Sequence, residues 1–240
     1  MPSKDGKGRT LWDVLSGQNR KDMSPMELQY HNPLTAKVGQ TISFDHEPTI
    51  SGINFVIEKM GVYETKIQTK AGVKKFYHTD YHLKGVSLSL DRPLRFRLRL
   101  VPDEGVSNAI GHKIFVMHDY HEQEFDEGLI AYLGNGSGEF QVNQDDDGKD
   151  LPEARKYWRI EDVLDPYHAR VTVMTDSDGN GKIDDNELTR SNVTYWDYHR
   201  DVKNVTPEYR EYLTIEMDDQ TKYIRMFRGR EVDSSQIVLI

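Results

Sequence analysis

Alternation of apolar and polar residues is the feature that most constrains the fold of this 240-residue chain. The clearest example runs from Leu94 to Leu100, where apolar residues alternate with Arg95, Arg97 and Arg99. A period of two puts the apolar side chains on one face of a β-strand and the arginines on the other. The pattern predicts a half-buried strand with an outward arginine face. Such a face is solvated, pairs with acids on neighbouring strands, or holds phosphate groups.

Similar runs recur from Val38 onward and are separated by glycine and proline. They indicate a mainly β fold of antiparallel sheets, arranged as a sandwich or a barrel. The residues predicted as strands are 41–44, 53–57, 62–68, 73–82, 94–100, 113–120, 129–133, 139–142, 156–160, 170–175, 193–199, 212–217, 222–228 and 236–240. We expect a first β module over residues 33–107 and a second over residues 108–240.

The first 32 residues, in contrast, predict a short α-helical arm. Thr10 and Ser24 are suitable N-cap residues, and Pro25 follows at the first position of the second helix. Helices this short are not stable alone. The arm 1–32 is therefore expected to dock on its own β body, or on a protein partner or second copy. The C-terminal segment, Ile237 to Ile240, predicts a buried strand, with pairing to another subunit as the alternative.

One twelve-residue segment, 176–187, concentrates oxygen ligands at regular intervals. Its candidate ligands for a hard divalent cation are Asp176, Asp178, Asn180, Lys182, Asp184 and Glu187. They occupy positions one, three, five, seven, nine and twelve, and Lys182 contributes its backbone carbonyl while Glu187 has the reach for a bidentate contact. Gly181, at position six, permits the sharp turn that such a loop needs.

These residues and spacings resemble the EF-hand calcium loop, over residues 176–187 only. The resemblance implies a bound Ca²⁺. An EF-hand has a helix on each side, whereas Arg170 to Thr175 is β-branched with a period of two, and a strand is also predicted soon after the loop. Strands lack the pair of helices with which a sensor exposes a groove. We therefore expect structural calcium, the alternative being an Asp/Gly-rich turn that binds nothing.

Acidic residues are concentrated in this loop and in residues 143–154. Each segment has a net charge of −4, so together they hold −8 of the chain's −9. The nearly neutral remainder argues against a nucleic-acid partner. The second segment also has oxygen ligands at positions one, three and five, but Asp150 replaces an apolar residue at position eight and position twelve lacks an acid. It is either a second calcium loop or a solvated acidic turn.

The tripeptide Asp-Tyr-His occurs three times, at residues 80–82, 119–121 and 197–199. On a strand, Asp and His share one face while Tyr occupies the other. One interpretation is a buried tyrosine beneath an Asp/His pair at the sheet surface, in a duplicated β unit. The other is that the copies converge on a transition metal, as in a metal-dependent hydrolase.

Catalytic motifs are missing from the sequence, which contains no cysteine, no P-loop and no G-x-S-x-G. No apolar run approaches the roughly 18 residues of a membrane span, and no signal peptide is seen, so a cytoplasmic protein is expected. We hypothesise a non-catalytic structural or interaction protein in which Ca²⁺ stabilises a loop between strands. The alternatives are the metal-dependent hydrolase and a self-assembling scaffold subunit.

Overall fold

The computed structural model describes most of the β body. The described residues are 36–44, 50–69, 72–86, 95–103, 111–134, 138–145, 149–160, 166–176, 187–203, 205 and 207–240. The predicted helical arm, residues 1–32, lies outside them. Within this part no helix has the length and apolar character of a bilayer span.

Secondary structure in the described residues is dominated by β-strands. They are Thr41–Phe44 (β1), Asn54–Thr69 (β2), Gly72–Val86 (β3), Arg95–Asp103 (β4), Gly111–Gln123 (β5), Glu139–Gln144 (β6), Asp150–Arg159 (β7), Tyr167–Thr175 (β8), Leu188–Val202 (β9), Tyr209–Asp218 (β10), Ile224–Val232 (β11) and Ile237–Leu239 (β12). One α-helix, Glu127–Gly134 (α1), precedes β6, and a 3-10 helix, Ser234–Gln236, precedes β12.

Eight of the strands close into an antiparallel barrel. Hydrogen-bonded neighbours around the ring follow the order β2, β3, β4, β5, β11, β10, β9 and β8, and β8 pairs back onto β2. The prediction of a mainly β fold with antiparallel sheets is confirmed. Of the two arrangements that the sequence left open, the structure has the barrel.

The ring consists of two four-stranded meanders, β2–β5 and β8–β11. They join where β5 pairs with β11 and where β2 pairs with β8. Strands on the two sides of the predicted boundary at 107/108 also pair with each other, as β4 and β5 do. The division into a first module, 33–107, and a second module, 108–240, stays a prediction.

Apolar side chains pack on the outer surface of the barrel wall in two clusters. The first covers β2–β5 and is completed by Ile42 and Phe44 of β1. The second lies over β9–β11, against Phe140 of β6, Tyr157 of β7 and Leu133 of α1. The extra strands thus bury the apolar outer face of the barrel, the main favourable term in folding.

The predicted strand at residues 129–133 is wrong, because these residues belong to α1. Asp126 caps the helix: its side chain accepts a hydrogen bond from the Leu129 amide at 3.1 Å and its carbonyl accepts one from the Ile130 amide at 3.0 Å. Leu133, one turn later, is buried in the second cluster. A short apolar run does not distinguish helix from strand, and here the cap and tertiary packing decide.

The predicted buried C-terminal strand is only partly correct. Strand β12 exists and pairs with β1, where Leu239 lies opposite Ile42. However, Leu239 is 40% exposed and Ile240 is 65% exposed. As an edge strand of only three residues, β12 does not reach into the core.

Candidate functional site

A network of charged side chains lies inside the barrel. Arg97 on β4 is only 1% exposed and donates hydrogen bonds to Asp80 at 2.8 Å, Glu216 at 3.0 Å and the Tyr63 hydroxyl at 3.2 Å. Its guanidinium carbon lies 3.5 Å from the ring centroid of Phe227. Because β4 and β10 are not neighbours in the ring, the Arg97–Glu216 contact crosses the barrel interior.

Arg99 extends this network toward the second meander. It forms two hydrogen bonds with Asp80, at 3.0 and 3.1 Å, and donates to the Thr214 hydroxyl at 3.0 Å. It also lies 3.4 Å from Asp197. Burial alone raises the pKa of Asp80, but the positive charges of Arg99 and Arg97 outweigh it and hold that pKa well below its usual value.

The arginine face of β4 is therefore interior, where the sequence predicted an outward face. Leu98 and Leu100 of the same strand lie in the first outer cluster. Of the three roles predicted for the arginines, pairing with acids on other strands is the one observed for Arg97 and Arg99. The acidic partners are Asp80 on β3, Asp197 on β9 and Glu216 on β10.

A cavity of about 210 Å³ opens at one end of this network. Its lining residues are Lys59, Tyr63, His82, Val171, Val173, Ser191, Val193, Glu216, Asp218, Thr221, Tyr223 and Arg225. Lys59 lies opposite Thr175 in the β2–β8 ladder, so this end of the barrel is also the end from which the 176–187 loop departs. An eight-stranded barrel is just wide enough to be filled by side chains or to hold one small ligand.

The cavity is electropositive on one side. Burial, followed by the like charges of Arg225 and Arg97, lowers the pKa of Lys59. Burial and the charges of Arg97 and Lys59 also hold the pKa of His82 well below its ordinary value, so its imidazole is neutral at physiological pH. The space therefore contains one half-buried amine and one neutral imidazole.

The three Asp-Tyr-His tripeptides occupy different strands of the ring. Residues 80–82 lie on β3 and residues 197–199 on β9, which are the second strands of the two meanders, whereas residues 119–121 lie on β5. Tyr81 and Tyr198 are buried in the two outer clusters, as predicted. The prediction that the Asp lies at the sheet surface is wrong for Asp80, which is fully buried in the barrel.

The first and third copies have equivalent surroundings. Asp80 lies opposite Arg99 in the β3–β4 ladder, and Asp197 lies opposite Thr214 in the β9–β10 ladder. The Thr214 hydroxyl donates to Asp197 at 2.6 Å, and Arg99 contacts both aspartates. This correspondence between second strands is what a duplicated β unit predicts. In the described part of the chain, His, Asp and Glu side chains form no group of three that could hold a metal ion.

The predicted calcium loop connects β8 to β9 as a hairpin. Met174 pairs with Leu188 at its base, and the Thr175 hydroxyl donates to the Glu187 carbonyl at 3.3 Å. The end ligands are described: Asp176 is half-buried and Glu187 is 6% exposed. The other four predicted ligands lie outside the described residues; they are Asp178, Asn180, Lys182 and Asp184. The predicted strands on both sides of the loop are confirmed.

The second acidic segment, 143–154, lies in the β6–β7 hairpin. Asp145 donates its amide to the Lys149 carbonyl at 2.8 Å, and the Lys149 amide donates back to the Asp145 carboxylate at 2.9 Å. Asp145 therefore supports the turn itself. Gln144 and Asp150 are paired at its base.

Sequence reasoning missed three interior residues: Glu216, Tyr63 and Lys59. The alternation of Leu213, Ile215 and Met217 with polar residues predicts the strand and one polar face. It does not show that the polar face is the inner one, because that depends on closure of the ring and on which strands cover the outside. Comparison of the chain with protein-family models, with curated proteins and with solved structures gave no match.

Proposed function

We propose that this chain is a non-catalytic, calcium-binding structural or interaction protein of the cytoplasm, in which Ca²⁺ stabilises the loop between β8 and β9. The observation that carries the proposal is the set of six oxygen ligands in loop 176–187, at the positions of an EF-hand calcium loop. The hairpin supports it, because pairing of Met174 with Leu188 brings the two ends of the loop together. A cation bound there would neutralise part of the loop's charge of −4.

A structural role, as opposed to a sensor role, is favoured by the strands on both sides of the loop. Strands β8 and β9 pair antiparallel from Tyr167–Tyr195 to Met174–Leu188, and β8 also pairs with β2. An ion in such a loop fixes the register of the hairpin and has no pair of helices to open.

Calorimetric titration of the calcium-free protein with Ca²⁺ tests the proposal. We expect one site that includes Asp178, and an increase of about 2.7 kcal/mol in the free energy of unfolding when Ca²⁺ is in roughly hundredfold excess over its dissociation constant. For a chain of this size that corresponds to a rise in Tm of about 5–10 °C. Mg²⁺, which holds its water ligands tightly, should give a smaller rise.

Asp178→Ala and Glu187→Gln are expected to abolish the heat signal, whereas Asp150→Asn, in the other acidic hairpin, is the matched control and should retain it. Glu187 is buried, so its variant loses stability for other reasons as well; Asp178→Ala is therefore the decisive one. A Tm that is the same in Ca²⁺ and in EGTA would refute the proposal.

A second candidate function, self-association or partner binding through the C-terminal strand, is favoured by one observation. Val238 and Leu239 on the edge strand β12, and Ile240 directly after it, are exposed apolar residues. Such edges pair readily with other chains. Light scattering at high protein concentration should show an oligomer that the variant Val238→Lys dissociates. A wild-type protein that is monomeric under those conditions contradicts this function.

A further inference from the structure

The cavity at the end of the barrel has two kinds of wall. One is apolar and consists of three valines, Val171 and Val173 from β8 and Val193 from β9. The other carries the nitrogen-bearing side chains of Lys59, His82 and Arg225, from β2, β3 and β11. A pocket with an apolar wall and a few convergent polar groups is the usual form of a small-molecule site.

The two carboxylates that line the cavity already have partners. Glu216 accepts hydrogen bonds from Arg97 at 3.0 Å and from the Tyr63 hydroxyl at 3.1 Å. Asp218 accepts the backbone amides of Gln220 at 2.9 Å and Thr221 at 2.8 Å, within the β10–β11 turn. In the described part of the chain, neither carboxylate forms an ion pair with Lys59 or Arg225.

The cations, in contrast, are not neutralised by close contacts. The Lys59 ammonium has no hydrogen bond or ion pair with any residue that the structure describes, although the charges of Glu58 and Asp119 oppose the lowering of its pKa. Arg225 lies over the ring of Tyr223, 5.7 Å from its centroid, and its ion pair with Glu122 is 4.0 Å long between two exposed side chains. A surface pair of that kind contributes little. Lys59 and Arg225 also repel each other, which is one cause of the lowered Lys59 pKa. A bound anion would relieve that repulsion.

Size and the valine wall restrict the anion further. The volume of about 210 Å³ is below the roughly 300–1,000 Å³ typical of pockets for drug-sized ligands. Nucleotides and lipids are therefore too large, and an inorganic ion would leave the valines without contacts. We propose that this cavity binds a small monocarboxylate with a short apolar body, whose carboxylate contacts Lys59 and Arg225 and whose apolar part packs on the three valines.

The test is a titration of the full chain with butyrate and with benzoate in EGTA, so that it does not depend on calcium. Neutral butyramide and benzamide match the size of the two acids without their charge, and inorganic phosphate tests the charge without the apolar body. Binding is followed by calorimetry and by backbone amide NMR shifts. We expect at least one acid to bind ten times more tightly than its amide and than phosphate, with shifts concentrated at Gly61, Ser191 and Val193.

Substitutions of residues that line the cavity test whether the acid binds there. Lys59→Met should weaken binding of that acid at least tenfold, because a charge-assisted hydrogen bond is lost. Lys66→Met, an exposed lysine of the same strand, is the control and should bind as the wild type does. Ser191→Leu keeps every charge but fills the cavity, so it should also weaken binding. Equal affinity for acid and amide, tighter binding of phosphate, or wild-type affinity in Lys59→Met would each overturn the assignment.

Discussion

Arg97→Met is the substitution that most directly tests the charged interior. Arg97 is the only described residue that gives Glu216 an ion pair, and it also shares Asp80 with Arg99. Methionine fills similar space and keeps a contact with the ring of Phe227. The variant therefore removes mainly charge and leaves Glu216 buried with only a tyrosine hydroxyl as partner.

Removal of one partner from a buried ion pair costs roughly 3–5 kcal/mol, because the remaining charge is desolvated without compensation. We expect a loss of that size in the free energy of unfolding, measured by urea denaturation with tryptophan fluorescence and circular dichroism. The matched control is Arg95→Met, on the same face of the same strand but exposed, which should change stability by less than about 0.5 kcal/mol.

A double variant separates charge from packing. Arg97→Met with Glu216→Gln removes both charges, so its destabilisation should be about 1–3 kcal/mol smaller than the sum of the two single losses. Simple additivity, or an Arg97→Met variant as stable as Arg95→Met, would show that the ion pair does not stabilise the barrel interior.

Three further predictions concern one buried histidine and two glycines. Burial, with the nearby charge of Arg99, lowers the pKa of His78 from 6.5 to about 3, so below pH ~6.5 the unfolded chain takes up a proton that the folded chain does not. This contribution reduces stability by about 1.4 kcal/mol per pH unit down to pH ~3. In pH-dependent urea melts His78→Phe should lower the measured slope by that amount and leave the contribution of His82, whereas exposed His121→Gln should not lower it. Gly229→Ala should destabilise by about 1–3 kcal/mol in the same assay, because the added Cβ would overlap the Val116 carbonyl. Gly128→Ala, at the exposed start of α1, should change stability by less than about 0.5 kcal/mol, because the better helix propensity of alanine is offset by a Cβ that lies 3.2 Å from the capping Asp126 Oδ1.

Much of the fold follows from local pattern. Alternating residues predict most of the strands, including the pair that flanks the acidic loop, and their turns predict antiparallel sheets. The strand prediction for residues 129–133 is wrong because a five-residue apolar run fits helix and strand equally, and the Asp126 cap decides between them. The predicted burial of the C-terminal strand is wrong for a different reason, because composition does not show whether an apolar edge strand is covered.

The candidate functional residues also include some that local sequence predicts and others that only the tertiary structure brings together. The ligand spacing of loop 176–187 is local, so the sequence alone carries the calcium hypothesis. The cavity is not local: Lys59, His82 and Arg225 come from three strands that meet only when the ring closes, and no spacing in the chain relates them.

By itself, the sequence determined that this protein is a β body with strands of period two and an acidic loop between two of them, since both properties depend on neighbouring residues. Tertiary structure alone decided which face of each strand is inside. Closure of eight strands and the covering of their outer face by β1, β6, β7 and α1 put leucines outward and arginines at the centre. An interior charge is stable only where partners compensate its desolvation, as Asp80 of the neighbouring β3 and Glu216 of β10, across the barrel, do for Arg97.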